Sequence, residues 1–376
     1  MKNISTLIQN KTDLRALVQE ARQTDAVALD TEFVWERTYY PQLGLIQMAL
    51  SDEDCFLIDP CSIEDLSPLG ELLADRSIIK ILHDAPQDLI ILRRATGATP
   101  QNIFDTRLAA GFSDMPATLS LSNLVKELLD ITLEKTETRT NWLQRPLTPE
   151  QISYALNDVR YLRAVRILLL TRIIGPKIKS WLHEELNLLN NPANYSGPDA
   201  DMRFSKIRGS NSLDRQSLAI LKNLTIWREG MAKKANRPRG HIVKDPILLE
   251  IAKHKLHSPE KILASTSLSS KAMKKYGKNL AAIAQRTIGR PEKTYPPLSP
   301  SPYLNSSQKG SLKRLNGLIA LKCKLLGIDP SLVGNSSELK MLITMLNSSK
   351  PRDTMQLRQT EGWRKSLLED FFQQNR

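Results

Sequence analysis

Two carboxylates follow an apolar run near the start of the chain. The run from Val27 to Leu29 leads directly into Asp30, and Glu32 stands two residues further on. Because successive side chains of an extended strand alternate between its two faces, Asp30 and Glu32 leave the same side of the chain. An isolated Asp-x-Glu at a strand end is most often structural, since polar residues are common there. The pair therefore points to chemistry only if other acidic groups accompany it.

Other acidic residues follow similar apolar segments. The stretch "KILHDAPQDLIIL" predicts a strand that ends near His83 and Asp84, followed by a helix that carries Asp88. Further on, "YALND" places Tyr154 and Asp158 four residues apart, so that both project from one face of a helix. These residues add two more acidic groups to the pair at the end of the first strand.

The combination of Asp30, Glu32, Asp88 and Asp158 is an oxygen-rich ligand set. Hard oxygen ligands favour Mg²⁺ or Mn²⁺ over zinc or copper. Without metal the four carboxylates repel one another, and two divalent ions would neutralise that charge. Two such ions are suited to in-line displacement at phosphorus. Tyr154 is too weak an acid, with a reference pKa of about 10, to be assumed a base, and we predict that it orients the attacking water.

The charge of the chain differs between its two halves. The 376 residues carry a net charge of +13. Residues 1–200 hold 20 Lys and Arg against 27 Asp and Glu, a net −7, whereas residues 201–376 hold 33 against 13, a net +20. A basic excess sustained over so many residues favours binding of a polyanion such as nucleic acid. The alternative is that the lysines only keep the surface soluble.

The composition indicates a cytoplasmic globular protein. The longest apolar stretch, "VRILLLTRIIG", is interrupted by Arg166 and Arg172, which argues against a membrane span. The first residues lack the hydrophobic region of a secretory signal. The three cysteines form no Cys-x-x-Cys pair, which disfavours a disulfide framework and a cysteine-ligated zinc site.

The first 200 residues alternate short apolar runs with helical patterns, which predicts an α/β layered fold. Four segments are typical of strands: "AVALD", "LGLIQMAL", "CFLID" and "IIKILHD". Because the early strands have short connections, we expect a mixed sheet, with antiparallel members first and parallel ones later. A helix is predicted after Leu147, with Thr148 and Gln151 forming a capping box around Pro149.

Beyond about residue 190 the strand signals stop and short helices take over. Residues 190–204 and 289–310, rich in Pro, Asn and Gly or Ser, predict two linkers. Between them, Asp245 is predicted to cap a helix that has Pro246 at its first position. We therefore predict three domains: an α/β domain over residues 1–200 and two small all-α domains over residues 211–290 and 308–376.

Three segments, in order, resemble the exonuclease motifs of the ribonuclease D family: "LDTEFVWERTYYPQLGLIQ", "HDAPQDL" and "RPLTPEQISYALNDVRYL". This family belongs to the DEDD exonuclease superfamily, in the subgroup whose third motif carries a tyrosine. The resemblance covers about residues 20–175. It implies a ribonuclease-H-like fold and metal-dependent hydrolysis from the 3′ end that releases nucleoside 5′-monophosphates.

Carried over residue by residue, the resemblance places Asp30 and Glu32 in the first motif, Asp88 in the second, and Tyr154 and Asp158 in the third. It implies that all five are catalytic and that the four carboxylates bind two divalent cations, Mg²⁺ or Mn²⁺. The family's spacing after the histidine selects the second aspartate of "HDAPQDL". The first, at residue 84, is left as a charge near a helix N-terminus.

Residues 211–290 resemble the HRDC domain, a helical module shared by ribonuclease D and RecQ-type helicases, with Gly277 after Tyr276 as one mark. Residues 308–376, ending in "TEGWRKSLLEDFF", resemble a second, more divergent copy. The resemblance implies a partner RNA with a single-stranded 3′ end, in particular tRNA precursors. It implies no nucleotide cofactor and no membrane partner.

Residues that contact RNA are less clearly marked. Four lysines at helical spacing are predicted to form a stripe for phosphates: Lys271, Lys274, Lys275 and Lys278. Taken alone, such a stripe is more often a solvated face. Tyr39, Tyr40 and Phe33 have two open interpretations, as platforms that stack on a terminal base or as core residues.

Two other functions remain open from the sequence. The carboxylates do not distinguish ribose from deoxyribose, so a 3′→5′ DNA exonuclease is one alternative. A catalytically silent RNA-binding adaptor that keeps the fold is the other, since fold alone does not establish activity.

Overall fold

The structure, a computed structural model, describes residues 6–134, 140–196, 201–298, 304–347 and 357–374. Parts of both predicted linkers lie outside these residues. The chain divides into two compact units: the first lies within Met1–Val34, Leu43–Ser196 and Pro302–Arg376, and the second within Trp35–Gln42 and Gly197–Ser301. The helices near the C-terminus thus share a unit with the α/β part of the chain.

A mixed sheet lies at the centre of the first unit. Its strands in the described residues are β1 (Leu7–Ile8), β2 (Ala26–Val34), β3 (Gln42–Ala49), β4 (Cys55–Ile58), β5 (Ile79–Leu82) and β6 (Ile103–Asp105). Their spatial order is β1-β4-β3-β2-β5-β6. β3 pairs antiparallel with β4, whereas β5 pairs parallel with both β2 and β6. The predicted mixed sheet is therefore confirmed.

One early strand departs from the expected direction. β1 pairs with β4 in parallel, with Leu7 opposite Leu57. A helix and two strands separate β1 from β4 along the chain, so no tight hairpin forces the pair to be antiparallel. The expected antiparallel pairing is confirmed for β3 with β4, and β1 is an additional parallel strand that the sequence pattern did not predict.

Helices cover both faces of the sheet and form the second unit. They are α1 (Lys11–Ala21), α2 (Ser67–Ala74), α3 (Pro86–Thr96), α4 (Thr106–Gly111), α5 (Leu121–Leu129), α6 (Pro149–Arg160), α7 (Leu162–Arg172), α8 (Pro176–Leu188), α9 (Arg215–Ala235), α10 (Arg239–Ile242), α11 (Asp245–Lys253), α12 (Pro259–Ser265), α13 (Ser270–Ile288), α14 (Ser306–Leu326), α15 (Ser336–Leu346), α16 (Gly362–Leu367) and α17 (Glu369–Gln374). No helix in the described part of the chain is long and apolar enough to span a membrane.

β2 is buried on both of its faces. Val27 and Leu29 belong to the apolar cluster that includes α1, α2 and α3, and Ala26 and Ala28 belong to the cluster on the other face. Because side chains alternate along a strand, the next residue of the alanine face is Asp30. This double burial explains why the strand has a continuous apolar sequence up to its acidic end.

The start of α6 confirms the predicted capping box. The Thr148 hydroxyl accepts a hydrogen bond from the backbone N–H of Gln151, and the Gln151 side chain accepts one from the backbone N–H of Thr148. Ala155 and Val159 are fully buried against the rest of the first unit. The cap and the apolar stripe together fix both the start of α6 and the face that it turns to the sheet.

The C-terminal helices are anchored to α8 by a buried polar contact. Trp363 stacks on Trp181 with ring centroids 5.4 Å apart. The Glu185 carboxylate accepts hydrogen bonds from the Trp363 indole N–H at 2.9 Å and from the Arg364 guanidinium, with Nη2 to Oε2 at 2.9 Å. Gly362 has a φ of +53°, and a Cβ there would meet a carboxylate oxygen of Glu184 at 1.7 Å. The "GWR" run therefore owes its composition to this docking contact.

The second unit is a small helical bundle around α9. α9 packs against α11 and α13, and Leu224, Leu248 and Leu280 are fully buried between them. One predicted cap is wrong: Asp245 is the first residue of α11, no side chain caps this helix, and the Asp245 carboxylate pairs with Arg228 at 2.6 Å. The ion pair occupies the carboxylate that would otherwise cap the helix.

Candidate active site

Carboxylates from β2 and α6 converge at the end of the central strand. Asp30, Glu32 and Asp158 each offer a carboxylate oxygen, and these atoms all lie within 4.8 Å of one another. α6 packs against β2, and it presents Asp158 one turn after Tyr154. The structure thus brings together three of the four acidic side chains singled out in the sequence.

The fourth carboxylate joins them from α3. Asp88 is 7% exposed and accepts a hydrogen bond from the Thr31 hydroxyl. Burial raises the pKa of Asp30 well above its usual range, and the charges of Asp88, Asp158 and Glu32 raise it further. All four acidic groups therefore act on one another electrostatically.

The remaining carboxylates hold their protons to near neutral pH. Burial, followed by the charges of Asp158 and Asp88, raises the pKa of Glu32 to about 8. Burial also raises the pKa of Asp88 to about 7, although the Thr31 hydroxyl lowers it in part. Burial raises the pKa of Asp158 to about 7, against a smaller lowering by the Tyr154 hydroxyl. At pH 7 the metal-free site therefore does not stabilise all four carboxyl groups in their ionised form.

This donor set fits divalent cations. Its ligand atoms are carboxylate oxygens, which suit hard ions such as Mg²⁺ and Mn²⁺. The raised pKa values show that the fold gathers these acids without enough positive charge to balance them. A bound cation would supply that charge and replace the protons. Asp30, Glu32 and Asp158 form the closest ligand group, and Asp88 borders it.

Tyr154 stays protonated beside the carboxylates. Burial and the charges of Asp158, Glu32 and Asp30 raise the pKa of its phenol above the usual value. Its ring lies 6.1 Å from that of Trp142. A neutral phenol can donate or accept a hydrogen bond, but it cannot serve as a base near neutral pH. The geometry supports an orienting role for Tyr154.

The segment before α6 is tied to the sheet by an arginine. Arg145 binds the fully buried Asp59 side chain with two hydrogen bonds of 2.7 and 2.9 Å and also donates to the Gly44 carbonyl at 2.6 Å. A Cβ at Gly44 would lie 2.6 Å from the Trp142 carbonyl oxygen, so this close approach requires glycine. These contacts hold the chain that leads into α6 and Tyr154.

The other polar residues at the start of the second motif, together with Asp105 on the next strand, have structural partners. Asp84 has a φ of +60° and pairs with Arg107, and its backbone N–H donates to Asp105 at 3.1 Å. Asp105 is the N-cap of α4 and also accepts from the backbone N–H of residue 85. His83 bonds to Thr106 and to a backbone carbonyl, and burial lowers its pKa to about 4. A structural role fits each of these side chains.

Comparison with known proteins identifies the family. Residues 6–174 match the 3'-5' exonuclease family, and residues 217–283 match the HRDC domain. The chain is 58% identical to ribonuclease D of Desulfotalea psychrophila, over 98% of each chain. The chain belongs to the ribonuclease D family. It is accordingly a 3′-5′ exoribonuclease.

Other members of the ribonuclease D family give the same result. The chain is 32% identical to ribonuclease D of Escherichia coli over 96% of each chain. The crystal structure of Escherichia coli RNase D, described as an exoribonuclease involved in structured RNA processing, matches this fold with a TM-score of 0.87 and 29% identity, covering 98% of this chain and 97% of that one. The predicted fold class, an α/β exonuclease domain followed by helical HRDC-type regions, is confirmed.

The candidate RNA contacts of this ribonuclease D family member lie in the second unit. Lys271, Lys274, Lys275 and Lys278 are all exposed on α13. The hydroxyl of Tyr39 donates to Glu229, and the Arg239 guanidinium lies 5.0 Å from the Tyr39 ring centroid. Tyr40 packs edge-on against Tyr39 at 4.7 Å. Tyr39 thus has protein partners, and its stacking on RNA stays a prediction.

The sequence patterns did not identify Thr31 as a residue of the candidate site. It lies between Asp30 and Glu32 and is 4% exposed. Alternation along β2 turns it to the face opposite the two carboxylates, where its hydroxyl reaches Asp88. A polar residue on the buried face of a strand needs a hydrogen-bond partner, and this requirement could have marked Thr31 in the sequence.

Proposed function

We propose that this exoribonuclease trims the 3′ ends of small structured RNAs, tRNA precursors among them, and releases nucleoside 5′-monophosphates. The observation that carries the proposal is the convergence of oxygens from Asp30, Glu32 and Asp158, with Asp88 coupled to them. The likeness to Escherichia coli RNase D, an exoribonuclease involved in structured RNA processing, supports this class of substrate.

Within this proposal the four carboxylates hold two divalent cations, Mg²⁺ or Mn²⁺. When bound, the two ions supply activation of water and stabilisation of the leaving oxygen, as in two-metal hydrolysis of phosphodiesters. Asp30, Glu32, Asp88 and Asp158 bind and neutralise them. Tyr154 orients the attacking water through its phenol, which stays neutral at the pH of the reaction.

The basic half of the chain holds the body of the RNA. The exposed lysine stripe on α13 presents four ammonium groups to solvent, and contacts of this kind give affinity without sequence preference. We assign residues 211–290 to the HRDC domain and residues 308–376 to a second HRDC-like domain, of which 308–347 and 357–374 are described. RNA binding should therefore weaken steeply with added salt.

The test uses an RNA hairpin with a single-stranded 3′ tail and its DNA counterpart, each labelled at the 5′ end. Each is incubated with Mg²⁺, Mn²⁺ or EDTA. The variant Asp30→Asn removes one carboxylate from the convergent cluster. The matched control is Asp84→Asn, a second strand-end aspartate whose partner is Arg107, at a positive φ that asparagine tolerates.

The proposal predicts a ladder that shortens from the 3′ end of RNA with wild type and Asp84→Asn. It predicts no ladder with EDTA or with Asp30→Asn. Shortening of DNA at an equal or greater rate would favour a DNA exonuclease instead. Tight RNA binding by the wild type without any shortening would favour an adaptor, and a fully active Asp30→Asn would contradict the assigned site.

A further inference from the structure

A basic cavity lies in the second unit, apart from the lysine stripe on α13. Its volume is about 500 Å³. Five cationic side chains line it: Arg203, Lys206, Arg228, Arg239 and Lys244. Asp245 lies beside them on the cavity wall. The cavity is therefore both concave and strongly positive, which a surface evolved only for solubility does not require.

One of these cations is buried with an unused donor. Arg228 is only 4% exposed. One of its terminal nitrogens, Nη1, donates to the Val243 carbonyl at 2.8 Å and pairs with Asp245 at 2.6 Å. Its Nε–H is buried and finds no acceptor among the described residues. An unsatisfied donor of a buried charged group is costly, so the charge of this guanidinium is only partly compensated within the protein.

The neighbouring arginines are held in place from beneath. Glu229, with a side chain 2% exposed, pairs with Arg239 at 2.6 Å and with Arg203 at 3.2 Å. Its carboxylate also accepts a hydrogen bond from the Tyr39 hydroxyl. Guanidinium groups fixed in this way bind an anion with little loss of rotamer freedom. Glu229 thereby orders the arginines but neutralises only part of their charge.

The charge balance of the cavity stays positive. Its five cations face two carboxylates, Asp245 on the wall and Glu229 beneath, so a net charge of +3 remains. Lys206 and Lys244 are exposed and form no salt bridge within the described part of the chain. α11 also begins here, at a residue with no side-chain cap, which adds the partial positive charge of a helix N-terminus.

We propose that this cavity binds a 5′-phosphomonoester. A terminal phosphate has a sugar on one side only, so its free oxygens can enter a concave site. It offers three acceptor oxygens and carries close to two negative charges near neutral pH. An internal phosphodiester carries one charge and is flanked by sugars on both sides, so it fits an open ridge better than a cavity. The volume also accommodates a nucleoside attached to the phosphate.

Two sources supply this chemistry. One is the 5′ end of an RNA whose 3′ end is being trimmed. The other is the nucleoside 5′-monophosphate that the proposed reaction releases. Only this choice between sources rests on the proposed function, because binding of a phosphomonoester to the cavity is measurable in the absence of turnover.

The test measures binding in EDTA, so that no divalent cation in the active site can hold the phosphate. Adenosine 5′-monophosphate, inorganic phosphate and adenosine are titrated into the full-length chain by calorimetry. The double variant Lys206→Gln/Lys244→Gln removes two exposed cations from the cavity. The matched control Lys271→Gln/Lys274→Gln removes two exposed cations from α13. Both variants keep the three arginines of the cavity and their ion pairs, so folding is preserved.

The proposal predicts that adenosine 5′-monophosphate and phosphate bind and that adenosine does not. The cavity variant should bind the monophosphate at least about tenfold more weakly than wild type, as the loss of charge-assisted contacts implies, and the α13 control should match wild type. Equal binding of adenosine, or an equal loss in both variants, overturns the proposal.

A second comparison identifies the source. RNA hairpins with a 5′-phosphate or a 5′-hydroxyl are bound to each variant. A preference for the 5′-phosphate that disappears in the cavity variant assigns the cavity to RNA ends. No preference, together with binding of the monophosphate, assigns it to the released nucleotide. Trimming of the 5′-hydroxyl RNA should stay at the wild-type rate in the cavity variant, so that failure of catalysis and failure of the cavity are distinguishable.

Discussion

Metal binding to the carboxylate cluster should be tightly linked to pH. The perturbation is a change in pH from 6.0 to 8.5 in the absence of RNA. At the lower pH, Glu32, with a pKa of about 8, and Asp88 and Asp158, with pKa values of about 7, hold protons. Because a ligand carboxylate must be ionised, each proton has to leave when a cation binds. Affinity must therefore rise with pH.

The size of the effect follows from these pKa values. At pH 6 the distance to the pKa is about two units for Glu32 and about one unit each for Asp88 and Asp158. If all three ionise on binding, the cost is about 5 kcal/mol at ~1.36 kcal/mol per unit, or about four decades in the dissociation constant. If only Asp88 and Asp158 ionise on binding, the dissociation constant changes by about two decades. We therefore expect at least a 100-fold gain in affinity from pH 6.0 to 8.5.

The stability of the metal-free fold should change in the opposite direction. Carboxylates with raised pKa values bind more protons in the folded state than in the unfolded state between about pH 4 and pH 8. The stabilising contribution of the protonated form is thus complete below the unfolded pKa and is lost as the pH rises through the folded pKa. A divalent cation should restore it, so the metal-induced rise in Tm should be larger at pH 8.5 than at pH 6.0.

The assay is calorimetric titration of Mn²⁺ under argon at pH 6.0, 7.0 and 8.5, in pairs of buffers with different ionisation enthalpies. The difference between buffers counts the protons released. Glu36→Gln serves as a control because Glu36 is exposed and lies only four residues from Glu32. A dissociation constant independent of pH, with no proton release at pH 6.0, would refute the reasoning.

Three further predictions concern single side chains. Thr31→Val removes the hydrogen bond that lowers the pKa of Asp88, so kcat should fall about tenfold at pH 7 and recover at pH 8.5; an unchanged pH–rate profile would contradict this. Tyr154→Phe should lower kcat by about 100-fold with unchanged RNA affinity in EDTA, and a loss confined to KM would exclude an orienting role. Glu185→Gln leaves Arg364 buried with a weaker partner, so the free energy of unfolding should fall by about 3 kcal/mol in urea titrations, whereas a loss below ~0.5 kcal/mol would show that the contact adds little.

The alternation of side chains along a strand was sufficient to predict one half of the site. Asp30 and Glu32 follow an apolar run, and their two-residue spacing places them on one face without any further information. The same holds for Tyr154 and Asp158, because a spacing of four residues and a clear capping box fix their helix and its start. Local rules are reliable here because each pair lies within one regular element.

The position of Asp88 required information that local rules do not contain. Asp84 and Asp88 both follow the same strand, and only the family's spacing selected the second. In the structure, Asp84 adopts a positive φ and turns to Arg107, whereas Asp88 points back to Thr31 on β2. The choice depends on a contact between residues 57 positions apart, which periodicity cannot reveal.

The basic cavity also could not be predicted from the sequence. Its arginines come from separate segments, at residues 203, 228 and 239, and no spacing in the sequence links them. The lysines of α13, by contrast, stand out because they are close together on one helix. Clustering in sequence therefore makes the stripe on α13 visible, whereas the concave site depends on how α9, α10 and α11 pack.

The carboxylate cluster also explains why the elements around it are so firmly fixed. Four acids that repel one another would separate if the chain allowed it, so the elements that carry them must resist that force. β2 is buried on both faces, α6 begins at a capping box, and the chain leading into α6 is held by Arg145 on Asp59. With movement restricted in this way, the metal-free site relieves its repulsion by taking up protons. Under the proposed function, cations and protons compete for the same carboxylate oxygens, which the fold brings together in the absence of any ion.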